Sequence, residues 1–278
     1  MDNKKIKNLV KDKYGEIAKK NTGCDCSCGC GNTNSDNYAQ QIGYGVDDVS
    51  SVPSGANLGL GCGNPTAIES IKNGETVLDL GSGAGFDAFI AAKTVGKSGK
   101  VIGVDMTPEM IEKATQNAKK GNYSNVEFKL GEIEHLPIED NSVDAIISNC
   151  VINLSPDKPQ VFKEAYRVLK QGGRLMVSDI VLEKPLPEEI KQSVEAYVGC
   201  VAGASLKQEY IGAINKAGFK NVKIIGTTDW LNETDFLKNE IASSDFGKTL
   251  LSKFNGDIEK ISELAKSVKS MKILAWKK

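Results

Sequence analysis

The sequence has little net charge, no long apolar run and only one histidine. Its 278 residues include 35 basic and 36 acidic side chains, and this balance argues against nucleic acid and anionic membranes as partners. No segment reaches the roughly 20 apolar residues that span a membrane, and the charged N-terminal residues lack a secretion signal. We therefore expect a cytoplasmic protein that acts on a small, neutral molecule, and we interpret the single histidine, His135, as structural.

Seven cysteines stand out in a sequence without a secretion signal. The cytoplasm keeps thiols reduced, so a structural disulfide framework is not expected, and the odd number also argues against one. Burial, binding of a soft metal or metalloid, and redox chemistry remain as explanations. Four cysteines fall in the compositionally biased residues 21–37 and three are separate. They are Cys24, Cys26, Cys28 and Cys30, then Cys62, Cys150 and Cys200.

From residue 76 onward, short apolar runs alternate with segments of helical length. This alternation is typical of parallel strands joined by crossover helices, and it predicts a doubly wound, mostly parallel α/β sheet. Thr107 is expected to cap one helix, and Gly172 to end another. The expected strands are residues 76–80, 100–105, 126–130, 143–148, 174–179, 222–228 and 271–276.

We divide the chain into three regions on this pattern. Residues 1–72 form an N-terminal extension with a cysteine-rich loop, residues 73–183 a Rossmann-like core, and residues 184–278 an addition of helices and strands that completes the sheet. Within that addition, residues 193–219 are expected to be helical.

A glycine-rich turn follows the first expected strand. Gly81, Gly83 and Gly85 allow the backbone to approach a ligand closely, because no Cβ atom obstructs it. Asp105 ends the next strand, where a carboxylate can accept hydrogen bonds from both hydroxyls of a ribose. Together these features predict a ligand that contains a nucleoside.

The glycine spacing is G-x-G-x-G, whereas dinucleotide sites have G-x-G-x-x-G. The turn resembles motif I of class I S-adenosylmethionine-dependent methyltransferases, and NAD is the alternative cofactor. In that superfamily an acidic residue at the strand end, here Asp79, helps to orient the methionyl ammonium. The resemblance also implies cofactor contacts at Met106, at Asn149 and in the segment that covers the adenine: Gly131, Glu132 and Ile133.

Three separate thiols have an unusual sequence context. Cys150 follows the fourth strand, at the sheet edge where this fold binds its substrate. Cys62 is flanked by glycines, which predicts an exposed thiol, and Cys200 lies late in an expected helix among small residues. Three thiols brought to one pocket would form a soft site suited to a thiophilic ion.

Four segments resemble arsenite S-adenosylmethionine methyltransferases. They are SVPSGANLGLGCGNP, VLDLGSGAGFDAFIAA, SNCVINLSPDK and YVGCVAGA, and the resemblance extends from about Tyr14 to Phe219. It implies that Cys62, Cys150 and Cys200 bind As(III), which is supplied as arsenite or methylarsenite. It also implies that residues 184–278 belong to the arsenic-binding region. It also implies that Tyr14 and Gly15 close over S-adenosylmethionine.

The resemblance further implies a reductive step that uses a fourth cysteine. Methylation oxidises arsenic to the pentavalent state, and two thiols can return it to the trivalent state by forming a disulfide. Cys30 is our choice as partner of Cys62, with Cys24, Cys26 and Cys28 as alternatives, and a thiol reductant such as thioredoxin or glutathione would regenerate the pair. Two other functions stay open: methylation of a small carbon or oxygen acceptor, and arsenite sequestration without catalysis.

Overall fold

A seven-stranded sheet forms the centre of the protein. The computed structural model describes residues 2–20, 35–229 and 245–278. The strands are β1 (Thr76–Leu80), β2 (Lys100–Asp105), β3 (Val126–Leu130), β4 (Val143–Asn149), β5 (Leu169–Leu182), β6 (Lys220–Asp229) and β7 (Val268–Trp276). Their order across the sheet is β3-β2-β1-β4-β5-β7-β6. Strands β1 to β5 are parallel, and β7 runs antiparallel to both β5 and β6.

Helices cover the sheet on both faces, and this confirms the predicted α/β class. In the part of the chain that the structure describes, they are α1 (Asn3–Lys20), α2 (Ser35–Gln41), α3 (Val46–Ser50), α4 (Phe86–Val95), α5 (Pro108–Lys120), α6 (Lys158–Val168), α7 (Glu188–Lys191), α8 (Val194–Val198), α9 (Lys207–Lys216), α10 (Asp245–Lys253) and α11 (Ile258–Ser267). None of these described helices combines the length and the apolarity needed to cross a bilayer.

The apolar runs form strands because both faces of the central sheet are covered. Val77, Leu78 and Leu80 of β1 are completely buried, as expected for a parallel strand between two helical layers. Strands β7 and β6 extend the sheet beyond β5. β7 pairs along its whole length with β5, and β6 forms the outer edge. Because β1, β2 and β4 are parallel, their carboxyl ends lie side by side, at the end of the strands where this fold binds ligands.

Two local predictions were wrong. The helix expected to continue to Gly172 ends at Val168, because Leu169 is completely buried and pairs with Val143 as the first residue of β5. Cys200 lies beyond α8 rather than inside a helix, since its backbone has a φ of 63°. A left-handed residue of this kind ends a helical segment.

The N-terminal extension packs directly on the core. Ile6, Val10, Tyr14 and Ala18 repeat at intervals of four and form one face of α1. This face packs in clusters that include Ile180 of β5 and Met110 of α5. The boundaries at residues 72 and 183 remain predictions, and hydrophobic clusters span both of them.

Candidate active site

A cavity lies at the carboxyl ends of β1, β2 and β4, beneath α1. Ten of the sequence-predicted site residues line it: Tyr14, Asp79, Gly81, Gly83, Asp105, Met106, Gly131, Ile133, Asn149 and Cys150. Three predicted cofactor residues are not part of its lining in the described structure. Gly15 faces the carboxylate of Glu109, Gly85 precedes α4, and Glu132 pairs with Lys7 at 2.7 Å.

The glycine turn brings bare backbone to the cavity wall. Gly81 and Gly83 have positive φ values of 66° and 51°, a conformation that side chains with a Cβ disfavour. A Cβ atom on Gly81 would lie 2.3 Å from Val151, whereas one on Gly83 would meet no atom within 4 Å. Gly83 therefore presents open space to a ligand, and Gly81 is required by packing.

Two carboxylates of the cavity have different surroundings. Asp105 accepts hydrogen bonds from the backbone N–H groups of Gly83 at 3.0 Å and Thr107 at 2.8 Å. Asp79 is 2% exposed, and within the described residues one of its oxygens has no hydrogen-bond partner. Burial, followed by the nearby carboxylates of Asp87 and Asp105, raises the pKa of Asp79 well above its ordinary value. An unpartnered buried carboxylate on a cavity wall fits a cationic ligand group.

Next to the cavity, the three separate cysteines lie in one buried cluster. The sulfur atoms of Cys62 and Cys150 and a carboxylate oxygen of Asp179 lie within 4.8 Å of one another. The Cys200 thiol donates to the carbonyl oxygen of Cys150 at 3.1 Å. Because Cys150 also lines the cavity, the thiol cluster and the cavity share a wall.

The expected exposure of Cys62 was wrong, since this residue is 4% exposed. Glycines on both sides let the loop pack tightly against the sheet instead of leaving the thiol in solvent. Burial raises the pKa of Cys62, and it raises that of Cys150 well above its ordinary value, with the neighbouring thiols adding to the effect at Cys150. Both side chains are therefore neutral thiols near pH 7.

Comparisons with known proteins show the family of this chain. A family model described as a methyltransferase domain matches residues 71–221. The crystal structure of an arsenic(III) S-adenosylmethionine methyltransferase from Chlamydomonas reinhardtii has a TM-score of 0.61 and 31% identity, covering 89% of this chain and 75% of that one. The chain belongs to the arsenite methyltransferase family.

Two curated arsenite methyltransferases have similar sequences. The protein from Halobacterium salinarum is 46% identical over 261 residues, which cover 90% of this chain and 66% of that protein. The mouse (Mus musculus) protein is 35% identical over 219 residues, covering 76% of this chain and 57% of the relative. The chain thus spans less than two thirds of the length of these members of the arsenite methyltransferase family.

Sequence reasoning missed a polar network in the cavity of this family member. Tyr44 donates to Asp87 at 2.5 Å, and the Asn149 amide donates to the other Asp87 oxygen at 3.1 Å. Burial raises the pKa of Asp87 to about 6, although both hydrogen bonds oppose the change. A signal was present in the sequence, because Asp87 is the one charged residue in the apolar stretch GFDAFIAA.

Asp179 was also missed, although it lies within the thiol cluster. It is completely buried, and it accepts hydrogen bonds from the Tyr210 hydroxyl at 2.8 Å and the backbone N–H of Asn153 at 3.2 Å. Burial raises its pKa to about 7. Its position at the end of the fifth apolar run was the only available signal.

The remaining predicted residues have the following positions. Tyr14 donates to the carbonyl oxygen of Val198 at 3.4 Å, and it packs against the thiol cluster from α1. His135 is exposed in a turn with Glu132 and does not line the cavity. The four cysteines of the biased segment, Cys24, Cys26, Cys28 and Cys30, lie outside the described residues.

Proposed function

We propose that this protein methylates trivalent arsenic held by the thiols of Cys62, Cys150 and Cys200. The observation that carries the proposal is Cys150, which belongs both to the buried thiol cluster and to the lining of the cavity. A soft trivalent ion prefers thiolate ligands, and a site on this wall would hold it beside the cofactor. Methylation of a carbon or oxygen acceptor would not need the three thiols.

Binding of arsenite to the cluster conserves charge. Arsenite in neutral solution is arsenous acid, which carries three hydroxyl groups. Each thiol replaces one hydroxyl: an As–S bond forms, an As–O bond breaks, and the thiol proton leaves with the hydroxide as water. Because the raised pKa keeps Cys62 and Cys150 neutral, neutral reactants give a neutral complex and no charge is left buried.

The cavity residues fit S-adenosylmethionine. Asp105 would hold the ribose hydroxyls, Asp79 the ammonium group through its unpartnered oxygen, and the backbone at Gly83 would lie along the ligand. When bound, S-adenosylmethionine supplies an electrophilic methyl group. Arsenic held by three thiolates is pyramidal, so its lone pair points away from the sulfurs. The lone pair carries no proton, and its attack on the methyl group therefore needs no general base. The role of the chain is alignment of the reacting groups.

We further propose that the protein reduces its arsenic product with its own thiols. Pentavalent methylarsenic accepts two electrons from two thiolates, which become a disulfide, and the arsenic returns to the trivalent state. Cys62 and Cys30 are the proposed pair, and a thioredoxin or glutathione would then reduce the disulfide by thiol exchange. Four closely spaced thiols, Cys24 to Cys30, make the partner of Cys62 replaceable.

The reductive step can be tested with a variant in which all four thiols from Cys24 to Cys30 become serine. Single-turnover methylation should match that of the parent protein, whereas multiple-turnover rates with thioredoxin should fall. A variant with Cys30→Ser alone is the matched control and should keep most of its activity. Equal multiple-turnover rates in the quadruple variant and the parent would exclude the relay.

The main proposal is tested by incubating the purified protein with arsenite, S-adenosylmethionine and a thiol reductant, followed by speciation of the arsenic. Methylated arsenicals are the expected products, and Cys150→Ser should form none. Bound arsenite without any methylated product would instead identify a sequestering protein. Absence of arsenite binding would favour a carbon or oxygen acceptor.

A further inference from the structure

The Cys62 residue is held by hydrogen bonds from three different strands. Its backbone N–H donates to the side-chain oxygen of Asn149 on β4 at 3.0 Å. Its carbonyl oxygen accepts from the Ser270 hydroxyl on β7 at 2.7 Å. Its thiol donates to the backbone carbonyl of Ser178 on β5 at 3.5 Å. Both polar backbone groups and the sulfur of this loop residue are therefore fixed by the sheet.

The glycines next to Cys62 make this close contact possible. A Cβ atom on Gly61 would lie 2.6 Å from the Asn149 amide nitrogen, and one on Gly63 would lie 2.1 Å from the Ser178 hydroxyl. Any other residue at either position would force the loop or the facing side chain to move. The Gly-Cys-Gly sequence thus allows the Cys62 thiol to pack directly against the ends of the strands.

Ser270 has a simpler role than Asn149. The Asn149 amide also donates to Gly63 and to Tyr44, and its side chain lines the cavity. Ser270 is 3% exposed, does not line the cavity, and directs its hydroxyl hydrogen bond to Cys62. A change at Ser270 consequently alters the support of Cys62 without altering the cavity wall.

We propose that Ser270, together with Asn149, is a positioning residue that fixes the Cys62 thiol beside Cys150 and so determines whether arsenic with three exchangeable ligands is accepted. The part of this inference that concerns arsenic rests on the proposed function. Arsenite needs three sulfur ligands, whereas methylarsenite carries one carbon and needs two. Loss of the third thiol from its position therefore affects arsenite more than methylarsenite, because alignment of that thiol has to be achieved at each binding event.

The first test measures thiol reactivity and requires no arsenic. The unliganded protein is treated with iodoacetamide, and labelling of each cysteine is followed by mass spectrometry. Ser270→Ala removes the donor to the buried Cys62 carbonyl, so the loop opens more often and Cys62 labelling should accelerate about tenfold, since a hydrogen bond of about 1.4 kcal/mol corresponds to that factor. Cys200, which is held elsewhere, should keep its rate.

Ser267→Ala is the matched control for this experiment. Ser267 is buried near the same strand, and its hydroxyl also makes a hydrogen bond of 2.7 Å, in this case to Leu264. It should leave Cys62 labelling at the parent rate. The positioning role is wrong if Ser270→Ala leaves Cys62 labelling unchanged, or if both serine variants accelerate the labelling of all three buried cysteines equally.

The second test compares two arsenic substrates. In Ser270→Ala the ratio of kcat/KM for arsenite to kcat/KM for methylarsenite should fall about tenfold, while Ser267→Ala should keep the parent ratio. In a Cys62→Ser background, Ser270→Ala should leave the single-turnover rate with methylarsenite unchanged, because the thiol it supports is gone. An unchanged ratio would overturn the specificity role, and inactivity of the parent protein with both substrates would overturn the proposed function while leaving the labelling result valid.

Discussion

The Cys200 thiol donates a hydrogen bond to the carbonyl oxygen of Cys150, at 3.1 Å, although the two residues are 50 positions apart. Both residues also have a left-handed backbone, with φ values of 63° and 59°. This conformation costs roughly 1–2 kcal/mol for a residue other than glycine. Among the described residues the other non-glycine residues with positive φ are asparagines, which tolerate this conformation well. The two cysteines are the exceptions, and strained backbone of this kind clusters at functional sites.

Serine substitutions should therefore separate the three thiols by function. Cys150→Ser and Cys200→Ser are each expected to abolish methylation of arsenite and of methylarsenite, because a hydroxyl cannot replace a thiolate for a soft ion. Cys62→Ser should abolish methylation of arsenite and retain single-turnover methylation of methylarsenite, since reduction of the product is the step that then lacks Cys62. Chromatographic speciation of arsenic checks all three variants. Equal losses on both substrates in every variant would contradict this division of roles.

Asp105→Ala should weaken the binding of S-adenosylmethionine by about 10- to 100-fold, because hydrogen bonds to a charged group contribute about 1.5–3 kcal/mol. Isothermal titration calorimetry measures the effect. Glu127→Ala changes a partly exposed carboxylate on β3 that pairs with Lys100, and it should keep the parent affinity. Unchanged affinity in Asp105→Ala would remove this carboxylate from the cofactor site.

Alanine substitutions at two glycines should differ in their main effect: one should lower stability and the other should weaken cofactor binding. Gly81→Ala places a Cβ atom 2.3 Å from Val151 in a left-handed backbone, so it should lower the free energy of unfolding by about 2 kcal/mol or more. Gly83→Ala meets no neighbouring atom and should cost only about 1 kcal/mol, yet it occupies part of the cavity and should weaken cofactor binding. Urea denaturation and calorimetry on both variants would distinguish the two effects. Normal cofactor affinity in Gly83→Ala would place the ligand away from this turn.

The parallel part of the fold and the cofactor wall were predictable because their signals are local. Val77, Leu78 and Leu80 form a continuous apolar run, which a strand buried on both faces requires. Gly81 and Gly83 follow it directly, so the turn could be recognised from a few consecutive residues. The same holds for Asp105, which ends the next strand.

Residues defined by distant contacts could not be predicted in this way. Ser270 supports Cys62 from 208 positions away, and a serine within an apolar strand carries no mark of that role. The exposure of Cys62 was mispredicted for a related reason. Flanking glycines predict an open loop, whereas here they allow the backbone to contact the side chains of Asn149 and Ser178.

Protein stability should depend on pH through Asp87. Burial raises the pKa of this carboxyl from 3.8 to about 6, so between about pH 4 and pH 6 the folded state binds more protons than the unfolded state. The contribution of Asp87 to stability is therefore greatest below this window and is lost as the pH rises through 6. The full loss is about 3 kcal/mol at most, from a shift of about two pKa units.

Asp87→Asn should flatten this pH dependence because the amide does not titrate. The free energy of unfolding, measured with urea at pH 4, 5, 6 and 7, should increase in the variant relative to the parent as the pH rises. Asp12→Asn, which changes an exposed side chain on α1, is the control. Parallel curves for Asp87→Asn and the parent would assign the pH dependence to other groups.

The hydrogen bond between Ser270 and Cys62 can form only late in the synthesis of the chain. The two residues are 208 positions apart, and at about 5–20 residues per second the ribosome needs roughly 10–40 s to synthesise the segment between them. During that interval the glycine turn and the first parallel strands are already available for pairing, but the Cys62 loop lacks the strand that holds its carbonyl group. The cofactor wall of a nascent chain can therefore form before the hydrogen bond that holds the Cys62 loop on the sheet.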